Sequence, residues 1–192
     1  TGGYSNTDAD STGKRGAALW LDGGAQALDC VITNNVGYQG VAINGSETGQ
    51  VPSAFAHRCY IADNYPINTT TSAKTGGQAG MIRSTTIGSS IVYNNHGNNF
   101  GSYERQYSFH TTFADGEGAD NGHLINSSYN VNDVVLATYG ALNAPTMIGG
   151  VYKIKTGAVS GSSTSVVNAD PLIADPARGD FRLAATSPAR DY

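Results

Sequence analysis

Charge is scarce in this chain. Eleven Lys and Arg and fifteen Asp and Glu make up 14% of 192 residues, where ordinary soluble domains carry roughly 25%. Apart from Lys14-Arg15 the basic residues stand singly, so the basic patch of a nucleic-acid-binding protein is missing. No apolar run approaches the ~18 residues of a membrane-spanning helix. Lys, Glu, Leu and Met, the strong helix formers, are sparse, with Met present twice. Also absent are an initiator Met and a signal-peptide pattern at Thr1-Gly2-Gly3, which points to a processed mature chain or an excised fragment.

What is abundant is Gly, at 25 residues about twice the usual share of roughly 7%. Asn, Ser and Thr accompany it, and such a chain is rich in turns and β-branched residues. The composition predicts an all-β, single-domain protein over residues 1–192. Few charges with many hydroxyls and amides suit a secreted or cell-surface bacterial protein better than a cytosolic enzyme.

Sliding the chain on itself reveals a repeat. Cys30-Val31-Ile32-Thr33-Asn34-Asn35, Cys59-Tyr60-Ile61-Ala62-Asp63-Asn64 and Ser90-Ile91-Val92-Tyr93-Asn94-Asn95 align without gaps at spacings of 29 and 31 residues. A Gly-led apolar stretch precedes each, beginning at Gly16, Gly40 and Gly80. The pattern predicts a solenoid of short parallel strands, stacked coil on coil about 4.8 Å apart. Asn at one recurring corner then forms a ladder, Asn35 over Asn64 over Asn95. The coils are expected over residues 16–167, after an irregular segment 1–15. Insertions are expected near 44–54, 69–80 and 96–123.

The tail is the most specific feature. Asn168-Ala169-Asp170-Pro171-Leu172-Ile173-Ala174-Asp175-Pro176-Ala177-Arg178-Gly179-Asp180-Phe181-Arg182-Leu183 runs on into Ser187-Pro188-Ala189-Arg190-Asp191. It resembles the closing segment of the bacterial right-handed parallel β-helix repeat proteins, in the pectate-lyase-like superfamily, where a DPLF-DP-GDFRL-SPAID run follows the last coils. Ser127-Ser128-Tyr129-Asn130-Val131 resembles their penultimate-coil pattern. Arg190 departs from it, since the family usually carries an aliphatic residue there. The resemblance implies a right-handed parallel β-helix with irregular loop insertions and a C-terminal capping segment at 168–192. The Asp-Pro pairs force extended residues and turns, and Phe181 and Leu183 alternate as in a strand folded over the last coil. A solenoid needs such a cap to cover unpaired edges. None is visible at Thr1 to Gly13, so that end is expected to be open.

Chemistry-bearing residues are few. Cys30 and Cys59 share one offset in neighbouring coils, which brings their Cα atoms near 5 Å and leaves open either a disulfide or a stack of two thiols. The 96–123 segment reads as an aromatic loop, with Tyr103, Arg105, Tyr107, Phe109, His110 and Phe113 as binding candidates for sugar rings or protein. Within it, Asp115, Glu117 and Asp120 could supply oxygen ligands to Ca²⁺ without the EF-hand spacing; no other cofactor is expected. Asn44, Asn68 and Asn126 begin Asn-x-Ser/Thr tripeptides, and Ser11 in Asp10-Ser11-Thr12 resembles an O-glycosylation motif of bacterial surface proteins.

The superfamily also contains lyases and glycoside hydrolases of acidic polysaccharides. Their clustered Asp, Gly-His-Gly and Arg-Ile-Lys motifs are missing; Asp120-Asn121-Gly122-His123 and Ile154-Lys155 are superficial echoes. Arg58, Arg83 and Arg105 are the available candidates for a lyase base. The expected role is therefore a non-catalytic surface or structural module, adhesive to carbohydrate or assembling end to end with its own copies. A polysaccharide-active enzyme is the alternative.

Overall fold

The computed structural model describes residues 18–37, 42–45, 47–48, 51–66, 80–83, 85–95, 98–100, 107–114, 123–126, 129–131, 133–139, 141–156, 159–164 and 168–190. These residues are all-β: short strands, one 3₁₀ turn at Pro176–Arg178, and no α-helix among them. No helix among them is long and apolar enough to cross a membrane.

Three parallel sheets hold most of the strands. The first is built from Leu19–Leu21, Ile43–Gly45, Gly80–Arg83 and Asn98–Phe100. The second begins with Gln26–Leu28, Ala54–His57, Thr85–Gly88, Tyr107–Phe109 and Tyr129–Val131. The third runs Val31–Thr33, Tyr60–Ala62, Ile91–Tyr93, Thr112–Ala114, Val134–Tyr139 and Val151–Thr156. The chain enters first, second and third sheet in that order four times between Leu19 and Ala114. Later, the long strand Ala141–Ile148 pairs with His123–Asn126 through its first half and with Tyr129–Val131 through its second.

The corners explain the sequence pattern. Between second and third sheet, Asp29, Arg58, Ser89 and His110 adopt left-handed φ values of 53°, 52°, 47° and 48°. Side chains at such φ clash mildly with their own backbone, a cost of about 1–2 kcal/mol. Hydrogen bonding to the next rung offsets it: Asp29 N–H donates to His57 O, Arg58 N–H to Gly88 O and Ser89 N–H to Phe109 O, at 3.0–3.1 Å. After each bend comes a small residue, Cys30, Cys59, Ser90 or Thr111, which opens the next strand. A second left-handed corner follows at Asn34, Asp63 and Asn94, where Asn and Asp are the residues best suited to that conformation.

Alternate side chains point inward and stack by type. Ala27, Ala56, Ile87 and Ser108 line one wall; Ile32, Ile61, Val92 and Phe113 line the next; all are at most 5% exposed. The expected Asn ladder is present. Asn35 Nδ2 donates to Asn64 Oδ1, and Asn64 Nδ2 to Asn95 Oδ1, both at 2.8 Å. Each of those oxygens also accepts the backbone N–H of the Asn one rung away, at 3.1 Å. The inward polar groups are thus satisfied rung to rung, as burial demands.

Three expectations need correction or refinement. Residues 96–123 are not one long loop: they contain Asn98–Phe100, Tyr107–Phe109 and Thr112–Ala114, one strand for each sheet. The 44–54 insertion is a small antiparallel hairpin, Glu47–Thr48 with Val51–Pro52, following the strand Ile43–Gly45, whereas residues 67–79 lie outside the described residues, as does the segment 1–15. The tail forms the antiparallel pair Ile173–Asp175 and Asp180–Leu183, but Phe181 does not sit on the last strands. It packs against Tyr60 and Tyr93 at ring distances of 5.9 and 5.2 Å. Those tyrosines point outward from the second and third strands of the third sheet, so this part of the tail covers a flank. Exposed aromatic surface at Tyr60 and Tyr93 is what draws Phe181 there.

Candidate functional site

With Phe181 placed against the outer face of the third sheet, the second sheet's outer face has the stronger claim to be a site. Strand alternation turns Gln26 and Leu28, Phe55 and His57, Thr86 and Gly88, and Tyr107 and Phe109 outward. Leu28 and Phe55, at diagonal positions of this face, remain 48% and 43% exposed.

Gly88 arranges the aromatics. It stands in register between His57 and Phe109, and the Phe109 ring lies across it, where a Cβ would collide with Phe109 Cζ and come within 2.9 Å of His57 Cδ2. Without a side chain at 88, Phe109 reaches over the intervening rung and stacks on His57, with centroids 6.1 Å apart and planes inclined at 29°. His110 meets the edge of Phe109 at 6.2 Å. Beside this stack lies a groove of about 230 Å³, open on one side and lined by Gln26, Leu28, Phe55, Ala56, His57, Thr86 and Phe109. It is smaller than the ~300–1,000 Å³ of pockets that enclose a ligand.

The corner beside the groove carries an ion pair. Arg58 Nε donates to Asp29 Oδ1 at 2.7 Å and Nη2 to Oδ2 at 2.6 Å, a two-pronged contact between neighbouring rungs. Arg58 Nη1 lies 3.0 Å from His57 Nδ1. The hydrogen bonds from Arg58 hold the Asp29 carboxyl below its ordinary range, and the same bonds raise the guanidinium further above its own. Arg58 is thereby tied to the neighbouring rung.

Of the expected binding residues, Tyr107, Phe109 and His110 lie on or beside this face. Phe113 does not: at 1% exposure it belongs to the core, stacked in register with Val92. Tyr103 and Arg105 lie outside the described residues, as do Asp115, Glu117, Asp120, Asn68 and Ser11, and so do the side chains of Arg83 and Asn126. Among the described residues no group of three His, Cys, Asp or Glu is placed to hold a metal. Asn44 is 2% exposed, and its Oδ1 has no hydrogen-bond partner among the described residues; that burial counts against it as a glycan acceptor. Motif and composition do not single out Leu28, Phe55 and His57. The available signal was position: Leu28, His57 and Phe109 each stand two residues before the small residue that opens a third-sheet strand.

Cys30 and Cys59 are free thiols on adjacent rungs, the first half-buried and the second buried. Cys30 Sγ donates to Leu28 O, the single S–H of Cys59 is shared between Ala27 O and His57 O, each 3.4 Å away, and burial pushes the Cys59 thiol up. Brief N-ethylmaleimide treatment of the folded protein is expected to label Cys30 and spare Cys59, with both labelled in denaturant. A native mass two hydrogens short, with neither residue labelled, would establish a disulfide instead.

No family model, no curated protein and no solved structure matches the chain.

Proposed function

We propose that this chain is a module of a right-handed parallel β-helix, secreted or displayed on a cell surface, which binds carbohydrate without transforming it. The repeated order of the three sheets and the resemblance of the tail support the β-helix. The scarcity of charge supports the extracellular setting. One observation carries the binding role: Phe55, Leu28 and the Phe109–His57 stack form an exposed, open groove on the second sheet. Aromatic faces and apolar edges of this kind receive the C–H faces of sugar rings, while Gln26 and Thr86 offer hydrogen bonds to hydroxyls. Adhesion is favoured over end-to-end assembly because this feature lies on a flank.

A glycan array probed with the purified chain tests the proposal, followed by titration calorimetry on the strongest hit. Phe55→Ala and Phe109→Ala are each expected to weaken binding at least about tenfold, since a buried aromatic anchor contributes more than about 1.4 kcal/mol. Their folds should survive, because both side chains project from the sheet, and circular dichroism checks this. An array without hits, or alanine variants that bind as well as the parent, would remove the groove from consideration.

A further inference from the structure

The charge distribution around the groove narrows the class of sugar, given that the groove binds one at all. Among the described residues no Asp, Glu, Lys or Arg lines it. At the adjoining corner stand Asp29 and Arg58, each held by the other. Carboxylates are recognised best by the planar fork of a guanidinium, which offers two parallel N–H donors. In Arg58 that fork, Nε with Nη2, is already filled by Asp29, and Nη1 is turned to His57 Nδ1.

We infer that the groove takes uncharged sugar units and rejects uronates, and that Asp29 enforces the choice. A uronate carboxyl laid beside the groove would lose water, meet the Asp29 carboxylate, and find the Arg58 fork occupied. Desolvating a charge without a partner is expensive, and like charges at an interface discriminate strongly between ligands. A neutral sugar meets no such cost.

The test uses the whole chain and matched probes: 4-linked gluco-, manno- and galacto-hexasaccharides, each compared with its counterpart oxidised at C6 to the uronate. Calorimetry at low salt is expected to show the best neutral hexasaccharide binding at least about tenfold more tightly than its uronate. Asp29→Asn leaves the side-chain shape, removes the negative charge and releases the fork. It should strengthen uronate binding about tenfold and leave the neutral ligand within about threefold. Uronates that bind the parent as tightly as neutral sugars would overturn the inference and leave carbohydrate binding standing. An unchanged uronate affinity in Asp29→Asn would remove Asp29 from the discriminating role. Failure of every hexasaccharide, neutral and acidic, would defeat both this inference and the carbohydrate reading it rests on.

Discussion

Replacing Asn64 by Leu is expected to lower stability by about 3–5 kcal/mol, among the larger losses a point substitution causes. Asn64 is the middle rung of the ladder and is fully buried. Its Oδ1 accepts the backbone N–H and the Nδ2 of Asn35. Its Nδ2 donates to Ile32 O, Ala62 O and Asn95 Oδ1, at 3.1, 3.0 and 2.8 Å. Leucine has similar bulk and none of these groups, so Asn35 loses its acceptor and two buried carbonyls lose a donor. Each orphaned buried group costs about 1–3 kcal/mol, because water cannot replace the missing partner. For a chain of this length the melting temperature should fall on the order of 10 °C. In urea the midpoint should fall while the slope holds, since the surface exposed on unfolding hardly changes. A loss below about 1 kcal/mol would mean that the ladder is ornamental, with backbone pairing alone holding the corners.

That ladder was readable in advance because it recurs at one offset within a gapless repeat. The three aligned segments proved to be the opening strands of the third sheet together with their second corner. A fourth segment, Thr111-Thr112-Phe113-Ala114-Asp115, fits the first five positions of the pattern, with Gly116 rather than Asn at the ladder offset. Sequence periodicity alone hides it, because the spacing contracts to 21 residues after 29 and 31 and aromatic density suggests a loop. A shortened connection costs the stack nothing provided the strands keep register, so periodicity weakens while structure persists. Phe113 illustrates the consequence: its aromatic surroundings suggest an exposed binding residue, yet it occupies the inward offset of Ile32, Ile61 and Val92.

The outer face was less legible for a different reason. Inward positions are constrained by packing and repeat by type; outward positions are free to vary, and Leu28, His57, Gly88 and Phe109 share a register without sharing chemistry. Only with the register known does Gly88 become meaningful as the gap over which Phe109 reaches His57. The tail was half legible. Alternation at Phe181 and Leu183 announced the strand Asp180–Leu183, but its docking on Tyr60 and Tyr93 depends on contacts more than 80 residues away in the chain, which local pattern does not encode.

Asp133 is where the inward small-residue stack breaks its own rule, and its removal should be nearly as damaging. Thr111 precedes it by one rung, and the corresponding earlier residues are Cys30, Cys59 and Ser90. Asp133 is 0% exposed, with Oδ2 accepting from Ser108 Oγ at 2.6 Å and Oδ1 accepting from Thr111 N–H at 2.9 Å. Ser108 and Thr111 are themselves 1% and 0% exposed. Asp133→Ala strips both acceptors and leaves a hydroxyl and a backbone N–H facing a small void, for a loss of about 3 kcal/mol. Asp133→Asn keeps an oxygen for Thr111, and the Ser108 hydroxyl can rotate to accept from the new amide. Its loss should stay under about 1.5 kcal/mol. Urea denaturation of the two variants beside the parent measures both. Equal damage from Asn and Ala would show that the carboxylate charge is what the interior requires; negligible damage from Ala would show that the neighbouring rungs close over the gap. The expected split, large for Ala and small for Asn, is the signature of an acceptor placed to satisfy two buried donors where the stack would otherwise carry only a thiol or a hydroxyl.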